Sequence, residues 1–189
     1  TATFRDPALE ARFQAEGYVV VDLIDPEVVV ELRDLCRSVH TTPKPGYDSD
    51  FFSPDPELKR LVNHRLHAAM APGLDRHLVD HHSMLHAFVM NWPGPTSGLV
   101  LHQHTSVVDE TRFRSLVAWC GITEATEANG TLHLVPRSHL VQQGPHPEQA
   151  RSWAEDHRSS IMADHLVSIP VAPGQAILFD NQMQHCSVQ

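Results

Sequence analysis

Basic charge is in short supply: 14 lysines and arginines stand against 23 aspartates and glutamates in 189 residues, a formal net charge of −9. Without a dense basic cluster, that balance excludes the electrostatic footprint of a nucleic-acid binder. It also mildly disfavours a highly anionic substrate, although charge local to a pocket can override the total. No apolar run approaches the ~20 residues that cross a bilayer, and no charged-then-apolar segment opens the chain, so neither a membrane span nor an export signal is expected. Cysteine is scarce as well. Cys36, Cys120 and Cys186 are odd in number and form no Cys-x-x-Cys, a pattern that suits free thiols in a reducing compartment better than a disulfide framework. The expectation is a soluble, cytoplasmic protein with no membrane or nucleic-acid partner; its oligomeric state is not written in these features.

A chain of this length fits one domain, residues 1–189, and buries about 70% of its unfolded surface, enough for a core with an internal pocket. It begins at Thr1 rather than Met and closes at Gln189 inside an expected strand, so trimmed ends and an incomplete C-terminus are expected.

What the chain has in abundance is histidine, 15 in all. Close pairs arise by chance in such a sequence, so a pair counts only with its context. His81-His82 fall on opposite faces of an extended chain, and His64 and His67 sit on an expected helix where solvated imidazoles are the ordinary case. His102-Gln103-His104 differs. On a strand, residues i and i+2 share a face, so His102 and His104 converge while Gln103 turns away. The pair needs one remote partner, and Gln184-His185 lies far downstream. Three imidazoles suit zinc, iron, copper and nickel alike, which leaves the metal open at this point.

Asp6-Pro7 and Asp25-Pro26 each read as a helix start, the second with Asp25 as N-cap and Pro26 at the first helical position. Between them, Tyr18-Val19-Val20-Val21 reads as a buried strand. Residues 41–56 are rich in Pro, Asp, Gly and Ser and read as a surface loop, and 54–78 as helix broken at Pro72-Gly73. After His82 the pattern changes to successive short strands over 84–90, 98–102, 115–119, 131–135, 166–169 and 176–179. Asn129-Gly130 is placed to turn a tight hairpin, and Pro173-Gly174 marks a second turn. Helices first and short strands afterwards predict a mainly β fold with flanking helices, an antiparallel barrel or jelly roll. His139 reads as a turn or rim residue after the 131–135 strand. Residues 141–164 read as an insertion, helix-prone around 148–155, that either covers a substrate or decorates the surface.

Taken in order, Met90-Asn91-Trp92-Pro93-Gly94, Leu101-His102-Gln103-His104, Val108-Asp109-Glu110, Asn129 to His139, Pro173-Gly174-Gln175, Leu178-Phe179-Asp180 and His185-Cys186-Ser187 resemble the phytanoyl-CoA dioxygenase-like branch of the Fe(II)/2-oxoglutarate oxygenases. The resemblance runs from the Gly17-Tyr18 strand to Gln189. It implies a double-stranded β-helix, the cupin-like jelly roll, holding Fe(II) and using 2-oxoglutarate and O2 to oxidise, most simply to hydroxylate, a small organic molecule. Carried over, His102 and His185 become iron ligands. Asn91, Trp119 and Ser187 become cosubstrate neighbours, Ser187 with added support because it shares a strand face with His185. A core aromatic is the equal alternative for Trp119.

Two departures stand out. Position 104 is His where the family has Asp, so a two-histidine-one-carboxylate triad becomes three neutral ligands, His102, His104 and His185. That raises the charge of a ferrous site by one unit and disfavours the oxidised iron on which hydroxylation depends. Asp109 and Glu110 lie too far along to substitute, and loop capping is the role expected of them. The family's arginine, which pairs with the distal carboxylate of 2-oxoglutarate, falls about ten residues past His185, beyond Gln189. These departures keep two alternatives open: a three-histidine iron or zinc enzyme that uses no 2-oxoglutarate, and a catalytically degenerate member that binds without turning over.

Overall fold

The computed structural model describes residues 2–42, 45–94, 97–141 and 152–187. Helix α1 (Pro7–Glu16) starts as its sequence predicts: Asp6 accepts a hydrogen bond from the backbone N–H of Ala8, and Gly17, at φ 85°, ends the helix. A side chain at that glycine would meet the Met183 sulfur and the His139 ring, so the turn into β1 (Tyr18–Asp22) needs glycine on two counts. Helix α2 (Pro26–Val39) has Asp25 at the N-cap position, although its carboxylate makes no capping bond. Helix α3 (Pro56–His77) is capped by Asp55, which accepts from the N–H groups of Glu57 and Leu58.

The break expected at Pro72-Gly73 does not occur, and α3 runs through both residues. Its buried face, Val62, Leu66, Met70 and Leu74, continues past the proline, and a Cβ at Gly73 would lie 2.0 Å from the Leu23 carbonyl oxygen. Packing of that face outweighs the lost proline hydrogen bond.

Nine strands form among the described residues. The first sheet is β1–β8–β5, with β8 (Gln175–Asp180) between β1 and β5 (Leu116–Cys120), all antiparallel. The second is β4 (Leu99–His102), β9 (His185–Ser187), β6 (Leu132–Leu134) and β7 (Val167–Ile169) in that order. Val19, Val21, Ala176 and Leu178 face α1, α2 and α3 in one core, together with Phe13, Val29 and Val62. Their neighbours Val20, Ile177 and Phe179 turn the other way and pack with Val117, Trp119, Leu132, Leu134 and Ile169 between the two sheets. This is the jelly roll with flanking helices that the pattern implied.

Four local expectations change. Residues 41–56 are not all loop: β2 (Gly46–Ser49) pairs with β3 (Val89–Trp92), and a 3-10 turn at Asp50–Phe52 buries Asp50, whose carboxylate accepts the Phe88 N–H at 2.8 Å. Only the end of the 84–90 run is strand. Its backbone is met instead by side chains, as where His86 N–H donates to Asn63 Oδ1. Asn129-Gly130 does take the positive φ, 93° at Gly130, but in a 3-10 turn (Glu127–Asn129) between β5 and β6, which lie in different sheets, so no hairpin forms. Much of the expected 148–155 helix lies outside the described residues. The chain then forms a 3-10 turn at Trp153–Glu155 and helix α4 (Arg158–Asp164).

The described part of the insertion is no lid over the histidines. Trp153, Ala154 and Ile161 pack with Leu101, Val135 and Cys186 on the outer face of the four-stranded sheet. No helix among the described residues is long and apolar enough to cross a membrane.

Candidate metal centre

The second sheet brings the remote histidine to the pair. His102, last in β4, stands opposite His185, first in β9, across an antiparallel register with a bulge between Leu99 and His102. Ring centroids of His102 and His185 lie 4.2 Å apart, those of His104 and His185 4.7 Å, and those of His102 and His104 5.4 Å. One ligating nitrogen from each residue falls within 4.8 Å of the other two, and among the described residues this is the one such group of three. No carboxylate belongs to it.

The surroundings prepare the imidazoles to ligate. Nδ1 of His102 lies 2.8 Å from the Val100 carbonyl, and Nδ1 of His185 2.9 Å from that of Met183. A carbonyl only accepts, so each Nδ1 carries the proton and each Nε2 keeps its lone pair for a metal. The same i−2 contact holds His133 on the outer face, at 3.2 Å to Thr131, so it orients a ring without marking a site by itself. Phe179 from β8 packs on His185 at 4.9 Å and fixes its plane.

Burial discourages the charged form of all three rings. His104 is pulled down to about 4, first by desolvation and then by His102, against a side-chain hydrogen bond with Asn181. His185 is lowered well below the usual range by burial and then by the other two, and His102 is lowered by burial against the Val100 carbonyl. Neutral imidazole is the ligating form. Protons therefore compete with metal only well below pH 6.5. Between about pH 6.5 and 4 the unfolded chain binds more protons at His104 than the folded one, so stability is full above that window and falls as pH drops through it. We predict that metal-free protein loses denaturant stability over pH 6.5 to 4, and that a saturating divalent metal steepens the dependence. A midpoint constant over that window in both forms contradicts this.

The proposed cosubstrate neighbours lie in two places. Ser187 is on β9 with His185, its hydroxyl accepting the Leu99 N–H at 2.9 Å and a longer contact from Asn91 Nδ2 at 3.4 Å. Asn91 on β3 thus meets Ser187, and its other amide atom is buried without a partner among the described residues. Turning that amide over presents a donor instead, the group a carboxylate needs. Trp119 lies on β5 opposite Ile177 with its side chain in the core between the sheets, so both of its readings keep their place.

The other described histidines stay apart. His139 lies in the 3-10 turn that follows β6, as expected of a turn residue, but is buried rather than at a rim, with Nε2 3.3 Å from the Gln14 carbonyl. His64 and His67 are exposed on α3. Asp109 caps its own turn, accepting the Thr111 N–H at 3.1 Å, and Glu110 accepts from Gln182 Nε2 at 2.8 Å. Asp109 does the capping expected of it, whereas Glu110 ties its loop to a residue 72 positions away. Sequence reading missed three amides beside the ligands: Gln103, Gln184 and Asn181. The position of Gln103 and Gln184 next to histidines was the available signal, but an uncharged amide announces no chemistry until its partner is known.

A groove of about 410 Å³ opens on the outer side, between Val135, Trp153 and Ile161 and the exposed Arg137, His157 and His165. It lies behind the sheet that carries the histidines, so the trio and not this groove defines the candidate centre.

The family model described as phytanoyl-CoA dioxygenase (PhyH) matches residues 13–189. No curated protein matches the chain significantly. Among solved structures, the non-heme alpha ketoglutarate dependent epimerase SnoN from nogalamycin biosynthesis is 21% identical, with a TM-score of 0.61 over 96% of this chain and 77% of its own. AviO1 from Streptomyces viridochromogenes Tue57 is also 21% identical, at 0.60 over 99% and 89%. EctD from S. alaskensis, solved with 2-oxoglutarate and 5-hydroxyectoine, is 20% identical, at 0.58 over 96% and 70%.

Proposed function

The chain belongs to the phytanoyl-CoA dioxygenase family, and from that membership we propose that it hydroxylates a small organic molecule at a centre held by His102, His104 and His185. Membership makes it an oxidoreductase of the Fe(II)/2-oxoglutarate oxygenase class, with Fe(II), 2-oxoglutarate and O2 as its cofactor and cosubstrates. The observation that carries the residue assignment is the convergence of three neutral imidazoles from the strands β4 and β9 and the segment after β4.

Iron bound there supplies O2 activation coupled to oxidation of 2-oxoglutarate. The protein's own part is positioning and exclusion of water. Val100 and Met183 carbonyls hold two rings in the ligating tautomer. Phe179, Ile177 and Leu134 provide an apolar floor behind them. Asn91 and Ser187, touching each other beside β9, are assigned to the cosubstrate, and Trp119 to the wall between the sheets.

The test is succinate release from 2-oxoglutarate under O2 after anaerobic loading with ferrous iron. Stoichiometric succinate with consumption of O2 is expected. Oxygen uptake independent of 2-oxoglutarate favours the second reading, a three-histidine oxygenase without an oxoacid, which the absence of a carboxylate from the described cluster recommends. Zinc, rather than iron, in protein purified without added metal points to hydrolysis instead.

A further inference from the structure

His104 lies past the end of the β4 ladder. The last register pair is His102 with His185, and residues 103–107 belong to no strand. A ligand that hangs beyond the last rung needs another restraint, because backbone entropy otherwise spreads its position. Asn181 gives one, bonding to the His104 side chain and donating to the Thr105 carbonyl at 3.0 Å, and a second is on the opposite face. Gln103 and Gln184, which flank the ends of β4 and β9, meet behind the metal side: the Gln184 amide donates to Gln103 Oε1. Its second N–H donates to Ser152 Oγ at 2.8 Å. Gln184 is fully buried and Gln103 nearly so.

The backbone of Gln184 is held equally firmly. Its N–H donates to Ser138 Oγ at 2.9 Å and its carbonyl accepts the Val135 N–H at 2.9 Å. A buried amide so placed acts as a missing rung, tying the segment that carries His104 to the strand that carries His185. Ser152 also caps the 3-10 turn of the insertion, accepting the Ala154 N–H at 3.2 Å. The insertion is therefore hydrogen-bonded to the strands that carry the histidines, from behind.

We propose that Gln184 is the positioning residue for His104, holding it in ligating range through Gln103, with Ser152 linking the insertion to the same amide. The inference rests on the coordination proposed above. The loss expected on breaking such support is about 10–100-fold in metal affinity.

The experiment is Co(II) titration of the full chain, followed by visible absorption, which reports ligand number and geometry apart from turnover. Gln184→Met fills the same space without donors and is expected to weaken Co(II) binding by about 10–100-fold and to shift the band toward that of His104→Ala. Combined with His104→Ala, it is expected to add little, since the residue it positions is gone. Gln103→Met, which spares the Ser152 bond, is expected to reproduce most of the effect and decides the matter if Gln184→Met does not fold. Native Co(II) affinity and band in Gln103→Met overturns the proposal, as does an undiminished Gln184→Met effect in the His104→Ala background. If native protein takes up no Co(II), or His104→Ala changes nothing, the three-histidine coordination itself fails, and this inference with it.

Discussion

Replacing His185 by alanine is expected to abolish iron retention and, with it, succinate formation. His185 is 4% exposed, stands opposite His102 across the β4–β9 ladder and packs against Phe179. The loss leaves two imidazoles from one short stretch of chain, and no described Asp, Glu or Cys belongs to the cluster to take its place. The drop in affinity should exceed the roughly 100-fold upper range seen when only a supporting residue is lost. Iron counted after anaerobic loading and desalting checks this, with far-UV circular dichroism to confirm that the fold survives the small cavity. Native iron content in the folded variant would remove His185 from the centre. Burial gives a second signature: the stability lost by metal-free protein at falling pH should shrink, since one of three buried neutral rings is gone.

His104→Asp is expected to raise 2-oxoglutarate turnover by about tenfold or more, equivalent to about 1.4 kcal/mol of barrier. Three neutral donors leave the full +2 charge of a ferrous ion uncompensated. A carboxylate lowers it by one unit inside a site where burial already pulls His104 down to about 4. In such surroundings a unit of charge is weakly screened, so it stabilises oxidised iron more than ferrous iron. The shorter side chain reaches less far, and Gln103 and Asn181 are the residues placed to hold its segment close. Succinate release, measured side by side with native protein, reads the result. Turnover appearing where native protein has none identifies a degenerate oxygenase whose pocket binds without catalysis. A fall in turnover identifies a site built around three histidines and sinks the charge argument.

Much of the centre was legible in the sequence alone. Alternation anticipated His102 and His104 on one side with Gln103 on the other, although the strand ends at His102 and His104 lies beyond it, and it placed Ser187 beside His185. Aspartate–proline pairs marked the starts of α1 and α2, a β-branched run marked β1, and short apolar runs marked β5 and β8. Asn91 and Trp119 were named through family resemblance, and the fold gives them neighbours without testing their roles. The amide link through Gln184 could not be foreseen, because a glutamine's meaning depends wholly on what lies across from it.

Periodicity and turn chemistry are properties of a few adjacent residues, and these the sequence determined by itself: which faces the side chains take, where helices begin, and that short strands come after helices. Tertiary structure alone decided that α3 runs through Pro72, that the N–H groups of His86 and Phe88 donate to Asn63 and Asp50 rather than to a ladder, and that the described part of the insertion packs behind the histidines. The convergence of His185 on the His102–His104 pair belongs to the same class. It arises from the register of β4 against β9, a pairing between distant segments that no local preference encodes.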